Sequence, residues 1–140
     1  MELSLPIFRY VFYIFLLLHL HVNIFSLIIE SNVNTHKGME HQYAQIATEI
    51  HAAEVMTYNA CRMKENGMDF VKEASMVKLF ASQVAEKAAS KSIEWLGGIG
   101  FTQNLLAEKF FRDCKVGSIY EGTSNIQLQT IAKRVKEEYR

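Results

Sequence analysis

The stretch Ile119-Tyr120-Glu121-Gly122-Thr123-Ser124-Asn125 sets one carboxylate between an apolar pair and a glycine, just ahead of residues able to start a helix. Burial beside Ile119 and Tyr120 would disfavour the charged carboxylate and raise its pKa, as a general base for a reluctant proton requires. A helix beginning at Thr123 or Ser124 would turn its free N–H groups toward an anionic or polar ligand. The same residues also read as an ordinary capping sequence with an exposed Glu121. A second stretch, Glu94-Trp95-Leu96-Gly97-Gly98-Ile99-Gly100, has three glycines in four positions. Backbone stripped of side chains admits a ligand closely and can aim N–H groups at phosphate. Its plainer reading is a glycine-rich helix terminus.

Other candidate groups carry less. His19 and His21 are two residues apart, so a helix would face them in different directions, and no cysteine or carboxylate cluster accompanies them. No metal site is expected. Cys61 and Cys114 are distant in sequence and form no C-x-x-C pair, which reads as two reduced thiols.

The elements that must position Glu121 are helical. From Gly38 onward, Tyr43, Ile46, Ala47, Ile50, Ala53, Ala60 and Cys61 recur at three- and four-residue spacing, up to a stop at Asn66-Gly67. Asp69 can cap a second long helix whose stripe runs Ala74, Val77, Ala81, Val84, Ala85, Ala88 and Trp95, ending at Gly97-Gly98. A shorter helix is expected from Thr102, carrying Leu105, Leu106, Phe110 and Phe111. A last one follows Thr123 or Ser124, with its stripe at Ile126, Leu128, Ile131 and Val135. No alternating strand pattern appears, so the expected fold is all-α, an antiparallel helical bundle. Only two of these helices are long, so their stripes call for a further helix or a second subunit.

The 140 residues fit one domain, yet their composition breaks near residue 37. Residues 1–37 hold no alanine and no glycine, whereas 38–140 hold twelve alanines and all seven glycines. Between Tyr10 and Ile29 lie twenty residues without a charge, long enough to cross a bilayer as a helix or to act as a secretory signal. A segment foreign to the domain that follows is the third reading of 1–37. Fifteen basic residues balance fifteen acidic ones, which argues against a nucleic-acid partner held by phosphate neutralisation.

Taken together, the two stretches say more than either alone. The order GGxG, then Arg112-Asp113, then IYEGTSN and a terminal helix resembles the carboxy-terminal domain of the acyl-CoA dehydrogenases. HQYAQIATEIHAA, TYNACR, KEASMVKLFAS, IEWLGGIGFT and EKFFRDCKVGSIYEGTSNIQLQTIAK are similar to segments of the branch acting on short and 2-methyl-branched chains, in the same order, from Gly38 to about Tyr139. The resemblance implies an oxidoreductase using FAD, with acyl-CoA as substrate and electron-transfer flavoprotein as electron partner. It implies that Glu121 removes the α-proton and that Gly122 and Tyr120 lie on the substrate side. Thr123, Ser124 and Asn125 match the flavin-contacting start of the last helix. Glu94, Trp95, Leu96, Gly97 and Gly98 match a loop that touches FAD held mainly by a neighbouring subunit. A homo-oligomer in the mitochondrial matrix is the corresponding expectation.

Departures from the family pattern bear on that expectation. The amino-terminal helical domain, the middle β-domain, the first helix of the bundle and an Arg-x-x-Phe-Gly stretch have no counterpart in this sequence, and Lys37 stands near a flavin-contacting glutamine of the family. Two alternatives therefore stand beside the enzyme. One is a non-catalytic fragment that associates with full-length subunits; the other is a membrane-tethered helical module anchored through residues 10–29.

Overall fold

The computed structural model describes residues 37–140, all connected by helices and turns: α1 (Lys37–Glu65), α2 (Val71–Leu96), α3 (Ala107–Cys114) and α4 (Ser124–Glu138), with 3-10 turns at Gly97–Phe101 and Lys115–Ser118. The uncharged segment 10–29 and the His19/His21 pair lie outside the described residues. Within the described residues no helix is long and apolar enough to cross a membrane. The compositional break at residue 37 falls in the first turn of α1, which already includes Lys37 and Gly38.

Helix α1 carries Glu40 in its first turn and Arg62 and Lys64 in its last, matching the sign of the helix dipole at each end. It closes where Asn66-Gly67 foretold. Gly67 adopts φ +69, its N–H donates to the Lys64 carbonyl at 3.0 Å, and the Met68 N–H donates to the Met63 carbonyl at 2.9 Å. That pair of bonds is the Schellman ending, which satisfies carbonyls the helix would otherwise strand. The short turn that follows makes α1 and α2 antiparallel neighbours. Asp69 does serve the start of α2, since its carboxylate accepts the Val71 N–H at 3.2 Å.

Helix α2 is the axis of the domain and touches all three other helices. One face, Ala81, Val84 and Ala88, meets Ile46, Ile50 and Ala53 of α1, with Phe80, Trp95 and Tyr120 closing around them. A second face, Ala85 and Ala89, meets Cys114 at the end of α3. The sequence pattern showed a single stripe; the structure buries two, because Ser75, Lys78, Ser82 and Ser92 are also buried. Small hydroxyl side chains tolerate this by bonding within their own helix. Ser82 donates to the Leu79 carbonyl at 3.0 Å and Ser92 to the Ala88 carbonyl at 2.8 Å.

Two expectations need correction. The third helix begins at Ala107, not Thr102: the Thr102 hydroxyl donates to the Ile99 carbonyl at 2.8 Å and so finishes the preceding 3-10 turn. Of its four anticipated apolar residues only Phe110 is buried, and Leu106 and Phe111 are exposed. In α4 the inward residue is Gln127, while Ile126 and Leu128 on either side of it are 50% and 51% exposed. Ile131 and Val135 are half-buried as anticipated. Thr123 occupies the cap position, but its backbone carbonyl, accepting the Gln127 N–H at 3.0 Å, makes the closure and its hydroxyl makes no cap bond.

Both thiols are free. Burial pushes the Cys114 thiol up to about 11, and its Sγ donates to the Phe111 carbonyl at 3.2 Å. The folded state therefore keeps this proton above the ordinary thiol pKa of 9, while the unfolded state releases it. Stability relative to a Cys114→Ala variant should accordingly fall as pH rises from 9 toward 11, measured by urea unfolding at each pH. Native Cys114 should also resist alkylation at pH 8. Ala81 has no exposed surface at the α1–α2 seam, so Ala81→Leu should destabilise the fold by about 1–3 kcal/mol. An unchanged thermal midpoint would mean that the seam has slack.

Candidate active site

Glu121 lies in the link between the 3-10 turn Lys115–Ser118 and α4. Both ends of that link are fastened to α2. Gly117 is buried at its start, where a Cβ would touch the Ser82 side chain at 3.5 Å. At its other end the Lys78 ammonium donates to the Gly122 carbonyl at 2.6 Å. The Gln127 amide donates to the same carbonyl at 3.2 Å and to the Glu121 carbonyl at 3.4 Å. Tyr120 lays its ring against the α1–α2 core, with its hydroxyl oxygen closed off from solvent, a place suited to anchoring the link rather than touching a ligand.

Between these fastenings the backbone turns through an unusual conformation. Glu121 has φ +50 and is the sole non-glycine with positive φ among the described residues; Gly122 follows at φ +100. A side chain in the left-handed region costs roughly 1–2 kcal/mol, and such strain concentrates where a site over-determines the chain. The burial expected beside Ile119 and Tyr120 is absent. Glu121 is exposed and Ile119 is 57% exposed, so this chain turns the carboxylate outward.

Beyond Gly122 the chain lines a cleft that does not include Glu121 itself. Thr123, Ser124 and Asn125 share a volume of about 300 Å³ with Gln83 and Glu86 of α2 and with Lys115 and Ser118. Lys115 and Glu86 pair across it at 3.0 Å. The cleft opens over the first turn of α4, whose leading N–H groups are directed outward as in any helix start.

The other predicted stretch sits elsewhere. Lys78 and the cleft residues Gln83 and Glu86 all precede Leu96 on α2; Glu86 does so by ten residues, about 15 Å at 1.5 Å per residue. None of Glu94–Gly98 lines the cleft of Thr123–Asn125. Glu94 is exposed and paired with Lys91, and the Trp95 indole donates to Gln42 of α1 at 3.3 Å. Gly97, at φ +63, and Gly98 have open space where a Cβ would go. Gly100 is different, because a Cβ there would lie 2.7 Å from that of Leu96 and 2.9 Å from the Ile93 carbonyl. The last glycine serves packing; the first two leave bare backbone at the surface.

A profile of the family described as "Acyl-CoA dehydrogenase, C-terminal domain" matches residues 30–136. The chain belongs to the acyl-CoA dehydrogenase family. It is 57% identical over 103 residues to the mitochondrial short/branched chain specific acyl-CoA dehydrogenase of Rattus norvegicus, covering 74% of this chain and 24% of that one. It is 59% identical over 107 residues to a probable short/branched chain specific acyl-CoA dehydrogenase of Dictyostelium discoideum, covering 76% and 26%. The chain thus spans about a quarter of the length of these relatives. Among solved structures it superposes on one described as the electron transferring flavoprotein of Acidaminococcus fermentans, with TM-score 0.80 and 25% identity over 85% of this chain and 34% of that one.

Lys78, Gln127, Lys115, Gln83 and Glu86 were not singled out from the sequence. For Lys78 a signal existed, since it is a lysine flanked by Ala74, Ser75, Ala81 and Ser82, all buried, on an otherwise small-residue face. Burial lowers its pKa from the usual lysine value. Gln127, between Ile126 and Leu128, offered no periodicity to betray it.

The glycines separate packing from approach. Gly122→Ala would set a Cβ 2.8 Å from the Gln127 amide nitrogen at a left-handed φ, and should destabilise the domain by about 1–2 kcal/mol. Gly98→Ala meets open space at an ordinary φ and should stay within about 0.5 kcal/mol. Chemical denaturation of both variants checks the contrast.

Proposed function

We propose that this domain forms part of an FAD-dependent acyl-CoA dehydrogenase for short or 2-methyl-branched thioesters, with Glu121 as the base that removes the α-proton. The observation that carries the reading is the exposed Glu121 on a strained, doubly fastened link that runs on into a cleft lined by Thr123, Ser124 and Asn125. Membership of the family supplies the reaction class, and the names of the rat and Dictyostelium relatives supply the acyl range. The superposed structure is described as a flavoprotein, in keeping with FAD as cofactor and electron-transfer flavoprotein as the receiver of electrons.

The residues present suit that cofactor. Hydroxyl and amide side chains at a helix start, with Lys115 nearby, offer donors to the polar and anionic parts of a dinucleotide. FAD, when bound, accepts the β-hydrogen as hydride. Glu121 takes the α-proton onto a carboxylate oxygen, leaving the electron pair to form the Cα–Cβ double bond as the β-hydrogen departs. Backbone N–H groups beside Glu121 can donate to a thioester carbonyl and acidify the α-position. Because Glu121 is exposed in this chain, the dry surroundings that a base for a carbon acid needs must come from bound ligands and neighbouring parts of the protein.

Glu94–Gly98 then serve a second flavin, held mainly by a neighbouring copy. None of these five residues lines the Thr123–Asn125 cleft, in keeping with that division. The apolar residues left outside, Phe101, Leu106, Ile126 and Leu128, which an assembly would cover, are in keeping with it too. The word mitochondrial in the rat relative's name supports the matrix as the compartment.

The test is Glu121→Gln in a chain of the relatives' full length carrying this domain. Flavin content should be unchanged, while bleaching of the flavin by a 2-methyl-branched short acyl-CoA should slow by about 10²–10⁴-fold. Near-normal turnover would remove Glu121 from the chemistry.

A further inference from the structure

Two buried polar side chains from different helices meet at one carbonyl next to the proposed base. Lys78, 4% exposed on α2, and Gln127, 9% exposed on α4, both donate to the Gly122 oxygen, at 2.6 and 3.2 Å. A lysine in a helix interior is retained there only where its ammonium is well served, since burying a charge is otherwise expensive. A glutamine turned inward while Ile126 and Leu128 face solvent is equally out of character for an amphipathic helix. Both anomalies are explained by what they hold. The peptide following Glu121 is part of a left-handed pair, φ +50 and +100, and a left-handed glutamate relaxes unless its backbone is tied. The Gly122 Cα also lies so close to the Gln127 amide that a Cβ would stand 2.8 Å from it, which requires glycine here for this grip.

We propose that Lys78 and Gln127 are positioning residues for Glu121, gripping the Gly122 carbonyl from two helices and so fixing the direction in which the carboxylate leaves the backbone. The inference rests on the reading of Glu121 as the base. Neither side chain touches substrate; each acts through the backbone on the carboxyl side of Glu121. Lys78 brings the charge-assisted, shorter bond to the 122–123 peptide, and Gln127 adds a second bond, to the Glu121 carbonyl at 3.4 Å, that fixes the 121–122 peptide as well.

Two measurements test it, one needing no flavin. In the 140-residue chain, a protease that cuts after glutamate reports on the Glu121–Gly122 bond directly. Lys78→Met keeps length and removes the donor, so it should speed cleavage at that bond by about tenfold or more while the other glutamate sites keep their wild-type rates. Equal acceleration at all sites, or none, overturns the proposal, because it reports either global loosening or an idle contact. In the full-length enzyme, Lys78→Met should lower kcat per bound flavin by about 10–100-fold with KM within about threefold, as a misplaced reacting group does. The primary isotope effect on the α-hydrogen should rise. An unchanged kcat per bound flavin and isotope effect overturns the proposal.

Should Lys78→Met not fold, Gln127→Met is read in the same two assays, with the same signs. If Glu121→Gln loses turnover and neither grip variant does, only the positioning role fails. If Glu121→Gln keeps its turnover, the base assignment fails and the positioning role with it.

Discussion

Helix α2 is enclosed by the other three helices, and a helix so placed can carry only small side chains on the faces where its neighbours come close. Ala81, Ala85, Ala88 and Ala89 meet that requirement, and they let α1 approach on one side and the end of α3 on another. The polar residues caught on these faces must be satisfied from within the protein. Ser82 and Ser92 bond to their own helix, and Lys78 reaches the Gly122 carbonyl. Close packing and the placement of the site are therefore one constraint. The helix whose small residues hold the domain together also supplies the charged group that fastens the loop carrying Glu121.

That coupling accounts for how a strained loop persists on a small domain. A left-handed glutamate followed by a left-handed glycine is not what the chain would adopt if free. Here the link is held at Gly117 against Ser82, at Tyr120 against the α1–α2 core and at Gly122 by Lys78 and Gln127. Three fastenings over six residues leave the Glu121 side chain as the part that points away. The surface ion pairs between α4 and the start of α2, Lys72 with Glu138 and Arg134 with Asp69, work at the rim and contribute little individually. The interior grip at Gly122 is the one that decides the geometry.

Helix ends and the α1–α2 seam were legible in the sequence because they rest on local rules. Gly67 and Gly97 stop helices by taking positive φ, and the alanine stripes have helical period. What escaped was set by tertiary context. Thr102 looked like a helix cap, but its hydroxyl found a closer carbonyl behind it. Ile126 and Leu128 looked like core, yet the inward place on α4 goes to Gln127, whose amide is needed at two carbonyls. Glu121 was singled out by its motif as the candidate base, but its left-handed backbone and its exposure were not foreseen, since nothing in the residue type glutamate signals either. Lys78 was readable in principle as a lysine among buried alanines and serines, a conflict between residue type and pattern that marks a functional demand.

The two glycine-bearing stretches make a final argument about scale. One is held beside Lys78, Gln83 and Glu86 and the other closes α2 at Leu96, about 15 Å beyond Glu86, on a helix packed along most of its length. Their separation is therefore a fixed distance, not an adjustable one. A chain built this way presents two polar surfaces that face different neighbourhoods: the cleft at Thr123–Asn125 with the proposed base, and bare backbone at Gly97 and Gly98. Exposed Ile99, Phe101 and Leu106 surround the second surface, and apolar groups of that size at a surface are characteristic of contact with other protein. The division of labour follows from the rigidity of α2. One end of it fastens the link that carries the proposed base, and the other presents a second surface of bare backbone.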